Sequence, residues 1–251
     1  MVYDGSAFYD NDGVFKTYMA RRHRENNPND TLEKPVILQL AGDLTNQRIL
    51  DLGCGDATFG REALTKGCQS YLGIEGSSNM VNSARQVLDG TNGKVVHATV
   101  ESWEYPTQAF DLVISRLVLH YVKDVDSVFR QVYQTLTKKG RFVFSIEHPV
   151  ITSCDRGWHG KGPRQDWLVD DYFDTGKRIT SWMGEQVIKY HRTVENYFAS
   201  LQHAGFGVES LREAEPQREH FNGDDDTYQR RKRIPLFLIM AGQKISTKQH
   251  A

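Results

Sequence analysis

Ile49-Leu-Asp-Leu-Gly-Cys-Gly-Asp-Ala-Thr-Phe-Gly60 is an apolar run that breaks on a Gly-x-Gly and continues into a helical pattern. Strand, tight turn and helix in that order put the turn at the carboxyl end of a strand, where open α/β sheets bind ligands. The glycines let the backbone approach a ligand closely and adopt positive φ. The next apolar run, Ser70-Tyr-Leu-Gly-Ile-Glu75, closes on an acid. An acid at the end of a second strand can accept from the hydroxyls of a ribose.

Further apolar runs recur at 94–98, 110–115, 140–146, 207–211 and 235–241. With the runs at 48–52 and 70–75 they predict seven strands. Amphipathic stretches lie between them at 78–88, 126–136 and 193–204. In the second of these Val128, Phe129, Val132 and Leu136 share a face, and Lys138, Lys139 and Gly140 are read as its end. The alternation predicts an α/β, Rossmann-like fold: a mostly parallel sheet with helices on both faces.

The flanks differ. Residues 1–45 read as an N-terminal helical lid, with a basic stretch Arg21-Arg22-His23-Arg24 and a breaker at Asn26-Asn-Pro-Asn29. A helix is expected at 31–40, capped by Asp30 or Thr31, with Pro35 in its first turn. Residues 46–148 form the ligand-binding core. Residues 149–192 interrupt the rhythm with Pro149, Pro163, three tryptophans and the turn Asp174-Thr-Gly-Lys177. They are too long for a plain connection and read as a cap over the substrate, inserted before the last helix. Residues 193–251 complete the sheet, and the whole is expected to be one domain.

The 251 residues are 39% hydrophobic and 25% charged, which suits a soluble chain able to bury a core. A net charge of −1 gives no global positive field for nucleic acid or an anionic membrane. No apolar stretch is long enough to span a bilayer, and the first residues lack a basic, then apolar, leader pattern. Cys54, Cys68 and Cys154 are too scattered for a disulfide framework or zinc site. The expectations are a cytoplasmic monomer or homodimer, no metal, no nucleic-acid or membrane partner, and a small-molecule partner.

Several motifs stand together in register. Asp51-Leu-Gly-Cys-Gly55, followed by Gly60, resembles the first motif of class I S-adenosylmethionine-dependent methyltransferases. Gly73-Ile-Glu-Gly-Ser-Ser-Asn-Met-Val-Asn-Ser-Ala84 is similar to their second motif, and Phe110-Asp-Leu-Val-Ile-Ser-Arg-Leu-Val-Leu-His-Tyr121 and Lys139-Gly140-Arg-Phe-Val-Phe-Ser145 to their fourth and fifth strands. The resemblance covers 46–148 and returns, weaker, over 193–242. It implies a seven-stranded sheet with the last strand antiparallel, and S-adenosylmethionine as cofactor. It further implies that Asp51, Gly53, Cys54 and Gly55 lie at the cofactor's methionine end and that Glu75 and Gly76 lie at the ribose. Met80, Thr99, Val100 and Glu101 would bracket the adenine, and Ser115 would close the strand beside it. Thr99 stands where many relatives have Asp.

The methyl acceptor is less legible. His148, in Ser145-Ile-Glu-His-Pro149, is a candidate base or orienting group, with Tyr9 and His120 as further catalytic candidates. Tyr18, His148, Trp158 and Trp182 are candidates for the acceptor pocket, and Arg21 or Arg22 for the methionine carboxylate of the cofactor. The insertion's aromatics could equally form their own small core. Arg230-Arg-Lys-Arg233 follows Asp224-Asp-Asp226, which suggests a charge-balanced surface turn. No Asn/Asp-Pro-Pro-Tyr motif and no Pro-Cys pair is present. The expected activity is methyl transfer to O or N of a small molecule. The alternatives are an RNA or protein methyltransferase of the same fold, or a non-catalytic S-adenosylmethionine-binding module.

Overall fold

The computed structural model describes residues 1–22, 24–159 and 166–245. His23 of the basic stretch and Pro163 of the insertion lie outside the described residues.

The chain opens with β1 (Val2–Asp4), a 3₁₀ turn over Gly5–Asp10 and α1 (Asp12–Arg22). A π-helical turn, Asn29–Glu33, feeds α2 (Lys34–Ala41). Pro35 falls in the first turn of α2, as predicted. Asp30 and Thr31 do not cap it: both lie inside the π turn, and Thr31 Oγ1 donates to the Asn27 carbonyl instead. Strands and helices then alternate: β2 (Arg48–Leu52), α3 (Thr58–Thr65), β3 (Ser70–Glu75), α4 (Ser78–Val87), β4 (Lys94–His97) and β5 (Phe110–Arg116). Next come α5 (Val125–Thr135) and β6 (Leu136–Glu147). β6 starts before the predicted Gly140, because Leu136 already pairs with Phe110. Lys138, Lys139 and Gly140 therefore belong to the strand and do not end the helix.

The insertion holds α6 (Pro149–Thr152), β7 (Trp158–His159), β8 (Asp166–Trp167), β9 (Gly176–Trp182) and β10 (Glu185–His191). The chain ends with α7 (Val194–His203), β11 (Phe206–Arg212), α8 (Asp225–Arg231) and β12 (Phe237–Lys244). The expected surface turn is the short helix α8: Asp224 accepts from Thr227 N at its start, and Arg230 and Arg231 stand in its last turn. That charge order follows the helix dipole.

The main sheet runs β11-β12-β6-β5-β2-β3-β4. β12 is antiparallel to both neighbours, and the other pairs are parallel. Side chains alternate between two apolar layers. Ile49, Tyr71, Leu112 and Val143 pack with α2 and α3, while Leu50, Leu52, Val113 and Phe144 pack with α5 and α7. Covering both faces is why these strands read as near-continuous apolar runs. Strand order reverses between β2 and β5, so a crevice opens beyond their carboxyl ends.

A second sheet roofs that crevice. β9 and β10 form an antiparallel hairpin, and β1 adds to β10 in parallel, Tyr3 opposite Val187. The N-terminal segment and the insertion thus form one cap, with Phe8, Val14 and Val187 as its core.

Candidate active site

β2 ends at Leu52, and Gly53 turns with φ +70°. A Cβ on Gly53 would overlap Val118, which follows β5 across the reversal point, so only glycine fits there. Gly55, at φ +57°, has no atom within 4 Å of where a Cβ would stand, which leaves its backbone open to a ligand. Gly60 has another role. The Tyr71 ring occupies the space of its missing side chain, and the Tyr71 hydroxyl donates to Asp51 Oδ2 at 2.7 Å. Asp51 Oδ1 is buried without a partner among the described residues. Burial pushes the Asp51 carboxyl up to about 6, against the opposing pull of the Tyr71 bond.

Glu75 ends β3 and is buried. Its oxygens accept from Gly55 N at 2.9 Å and Ser77 N at 2.8 Å, so it both shapes the turn and keeps a lone pair on each oxygen. Burial raises its pKa more than those backbone bonds lower it. Ser77 caps α4, which carries Met80. Asp51, Gly53, Cys54, Gly55, Glu75 and Met80 line one cavity of about 870 Å³. Gly76, Thr99, Val100 and Glu101 line it too. Thr99 Oγ1 donates to Ser102 Oγ at 2.9 Å, so its hydroxyl serves its own turn.

The cavity continues under the cap, past Tyr9, Tyr18, His120, Tyr121 and Trp182. Tyr9 and Tyr18 meet edge to face at 4.9 Å. Burial drives the Tyr9 hydroxyl well above its ordinary value and Tyr18 up to about 12, so at neutral pH both are hydrogen-bond donors and not bases. His120 is buried, and its Nδ1 accepts from Glu147 N at 3.3 Å. Burial holds it down to about 4, so the ring is neutral and its proton is on Nε2.

Three expected residues stand outside the cavity wall. His148 is turned away: its Nδ1 accepts from Val150 N as the cap of α6, and its Nε2 lies 3.1 Å from Glu213. Ser115 is buried and donates to the Leu52 carbonyl, which ties β5 to β2. Trp158 packs edge to face on Trp167 at 5.5 Å, and Trp167 donates to the Val150 carbonyl, so these two form the insertion's own small core. Trp182 alone of the insertion's tryptophans lines the cavity. Of the two arginines expected at a carboxylate, Arg22 is paired with Asp30 at 2.6 Å and Arg21 stands over the Trp182 ring at 5.7 Å.

Sequence reasoning missed two charged pairs. Arg116, on the cavity wall, chelates the fully buried Glu33 of the π turn. Glu147, the last residue of β6, faces the cavity, and both its oxygens accept from Lys189 of β10, at 2.7 and 2.6 Å. Glu147 stood beside His148 in a motif already singled out, but strand alternation at a strand end decides which neighbour faces in.

Among the described residues no helix is long and apolar enough to cross a membrane, and no cluster of metal-ligating side chains occurs. A family model described as a methyltransferase domain matches residues 50–144. An S-adenosylmethionine-dependent methyltransferase structure from Mesorhizobium loti superposes with a TM-score of 0.77 at 34% identity, covering 84% of this chain and 97% of that one. A Listeria monocytogenes structure provisionally assigned the same activity gives a TM-score of 0.79 at 32% identity, covering 85% and 97%. An uncharacterized Haemophilus influenzae protein is 29% identical over 246 residues, 93% of this chain and 95% of that one.

Proposed function

Because the chain belongs to the class I S-adenosylmethionine-dependent methyltransferases, we propose that it methylates O or N of a small-molecule acceptor held under the cap. Its cofactor is S-adenosylmethionine, which when bound supplies an electrophilic methyl group on a sulfonium sulfur. The residues present fit that group. Asp51 offers a buried carboxylate oxygen that lacks a partner among the described residues, suited to an ammonium. Gly55 leaves open space beside its backbone. Glu75, with a lone pair left on each oxygen, would accept from two ribose hydroxyls. Met80, Val100 and Glu101 would flank the base, and Arg116 has a cationic group at the methionine end, near Asp51.

One observation carries the choice of acceptor. The cavity is continuous from the Gly-rich turn to the tyrosines beneath a cap built by β1, β9 and β10. At about 870 Å³ it is of small-molecule size. In-line methyl transfer asks the protein chiefly to align two reactants, which a capped cavity can do. Incubation with S-adenosylmethionine and a library of phenols, amines and carboxylates should yield S-adenosylhomocysteine with one methylated small product. Methyl incorporation into RNA or protein, and into none of the small molecules, would contradict this reading. Binding without turnover of any kind would leave a binding module.

A further inference from the structure

The acceptor end of the cavity has a built polar arrangement. Glu147 on the core strand β6 and Lys189 on the cap strand β10 form an ion pair, with the Lys189 side chain 4% and the Glu147 side chain 18% exposed. Burial opposes both charges, and each partner's charge more than offsets it, so Glu147 stays a carboxylate and Lys189 an ammonium. Lys189 Nζ also stands 5.7 Å from the Tyr121 ring centre and 5.5 Å from that of Trp182. The Trp182 indole Nε1–H is buried with no acceptor among the described residues. His120 lines the same wall with its single proton on Nε2.

We propose that Glu147 is the catalytic residue that takes the acceptor's proton and that Lys189 positions it. The acceptor is then a neutral hydroxyaromatic molecule whose second oxygen accepts from the Trp182 indole. This rests on the methyltransferase reading above. A cationic amine is disfavoured because it would meet the Lys189 and Arg21 cations, which already stand over the Trp182 ring. A carboxylate or phosphate would face Glu147. A flat neutral molecule suits the Tyr9, Tyr18 and Trp182 walls.

The proton balance also favours a hydroxyl. Its oxygen pair forms the new C–O bond, the methyl–sulfur pair stays with sulfur, and the proton passes to a Glu147 oxygen, then to water. A carboxylate made weakly basic by Lys189 suffices, because an oxygen forming a third bond is strongly acidic. An amine is protonated at neutral pH and must shed its proton before it can attack, which so weak a base does not take.

The test uses the full chain. S-adenosylhomocysteine binding is first measured by calorimetry. Rates are then compared for catechol, ortho-hydroxyacetophenone, benzylamine and benzoate, with products identified by mass spectrometry. The hydroxy compounds should be O-methylated at least about ten-fold faster than the amine or the acid. Glu147→Gln should lower kcat by about 100-fold or more, with S-adenosylhomocysteine affinity little changed. Lys189→Met should move the acidic limb of the kcat/KM profile to higher pH by removing the cation beside Glu147, and Lys189→Arg should restore it. The other groups facing Glu147 are His120, Tyr121, Tyr9 and Tyr197, all retained in these variants. Trp182→Phe should raise KM for ortho-hydroxyacetophenone several-fold. Faster methylation of benzylamine or benzoate overturns the proposal. So does failure to methylate either hydroxy compound while S-adenosylhomocysteine binds, and so does retained turnover in Glu147→Gln. Loss of S-adenosylhomocysteine binding by the unaltered chain would instead break the underlying reading.

Discussion

Asp51 has one oxygen bonded by Tyr71 and the other buried without a partner among the described residues, and burial pushes its carboxyl up to about 6. An acid whose folded pKa is raised contributes stability that is present at low pH and lost as pH rises through the folded value. At neutral pH the ligand-free fold therefore carries this charge at a disadvantage, about 3 kcal/mol for a shift of roughly two units. Asp51→Asn should raise the ligand-free Tm at neutral pH by several degrees while weakening S-adenosylhomocysteine binding about ten-fold or more. Scanning calorimetry and titration of the same variant check both signs. In the unaltered chain, affinity should fall as pH drops through about 6 and Asp51 protonates. His148 tests the opposite case. Its ring caps α6 and pairs with Glu213, away from the cavity. His148→Ala should cost about 1 kcal/mol of stability and leave kcat within about two-fold. A large kcat loss at unchanged stability would contradict that placement. Asp51 and Glu75 were legible because a Gly-rich turn and a strand end fix their positions. Glu147 and His148 were not told apart, because which of two successive residues faces the cavity depends on the register of β6.

At the scale of elements, the central strands of the main sheet were legible because helices cover both faces and leave a plain apolar signal, while the edge strands β4 and β11 are largely exposed and carry a shorter one. The cap sheet was not. The buried positions of β10 are Val187, Lys189 and His191, so two of three inward residues are polar and the alternation is hidden. Each is satisfied only by distant partners: Lys189 by Glu147, and His191 by Thr152 Oγ1 at 2.8 Å and the Tyr172 carbonyl at 2.9 Å. No local pattern announces such pairings. β1 was hidden as well, since three residues form a strand only where β10 offers an edge. Removing residues 2–4 strips that edge and loosens Gly5–Asp10, which brings Tyr9 to the cavity. Hydrogen exchange should then quicken across β10 and the 3₁₀ turn, with protection in β2 and β5 unchanged. Unchanged β10 protection would contradict the view of the N-terminal segment and the insertion as one cap.

For the whole molecule, a sheet with β2 at its reversal point puts the Gly-rich turn, Glu75 and the β5 end around one crevice, and the cap turns the crevice into a cavity. The sequence carried the crevice because its motifs are local. It carried the cap's place but not its structure, and so left the acceptor end open. S-adenosylmethionine is expected to sit on the Gly53–Gly55 turn with Glu75 at its ribose. Calorimetric titration of the full chain and of Glu75→Ala with S-adenosylhomocysteine tests it most directly. One site per chain is predicted, weakened in the variant by roughly 1–3 kcal/mol through the lost hydrogen bonds. No binding at up to about 1 mM ligand, or equal affinity in the two proteins, would contradict it.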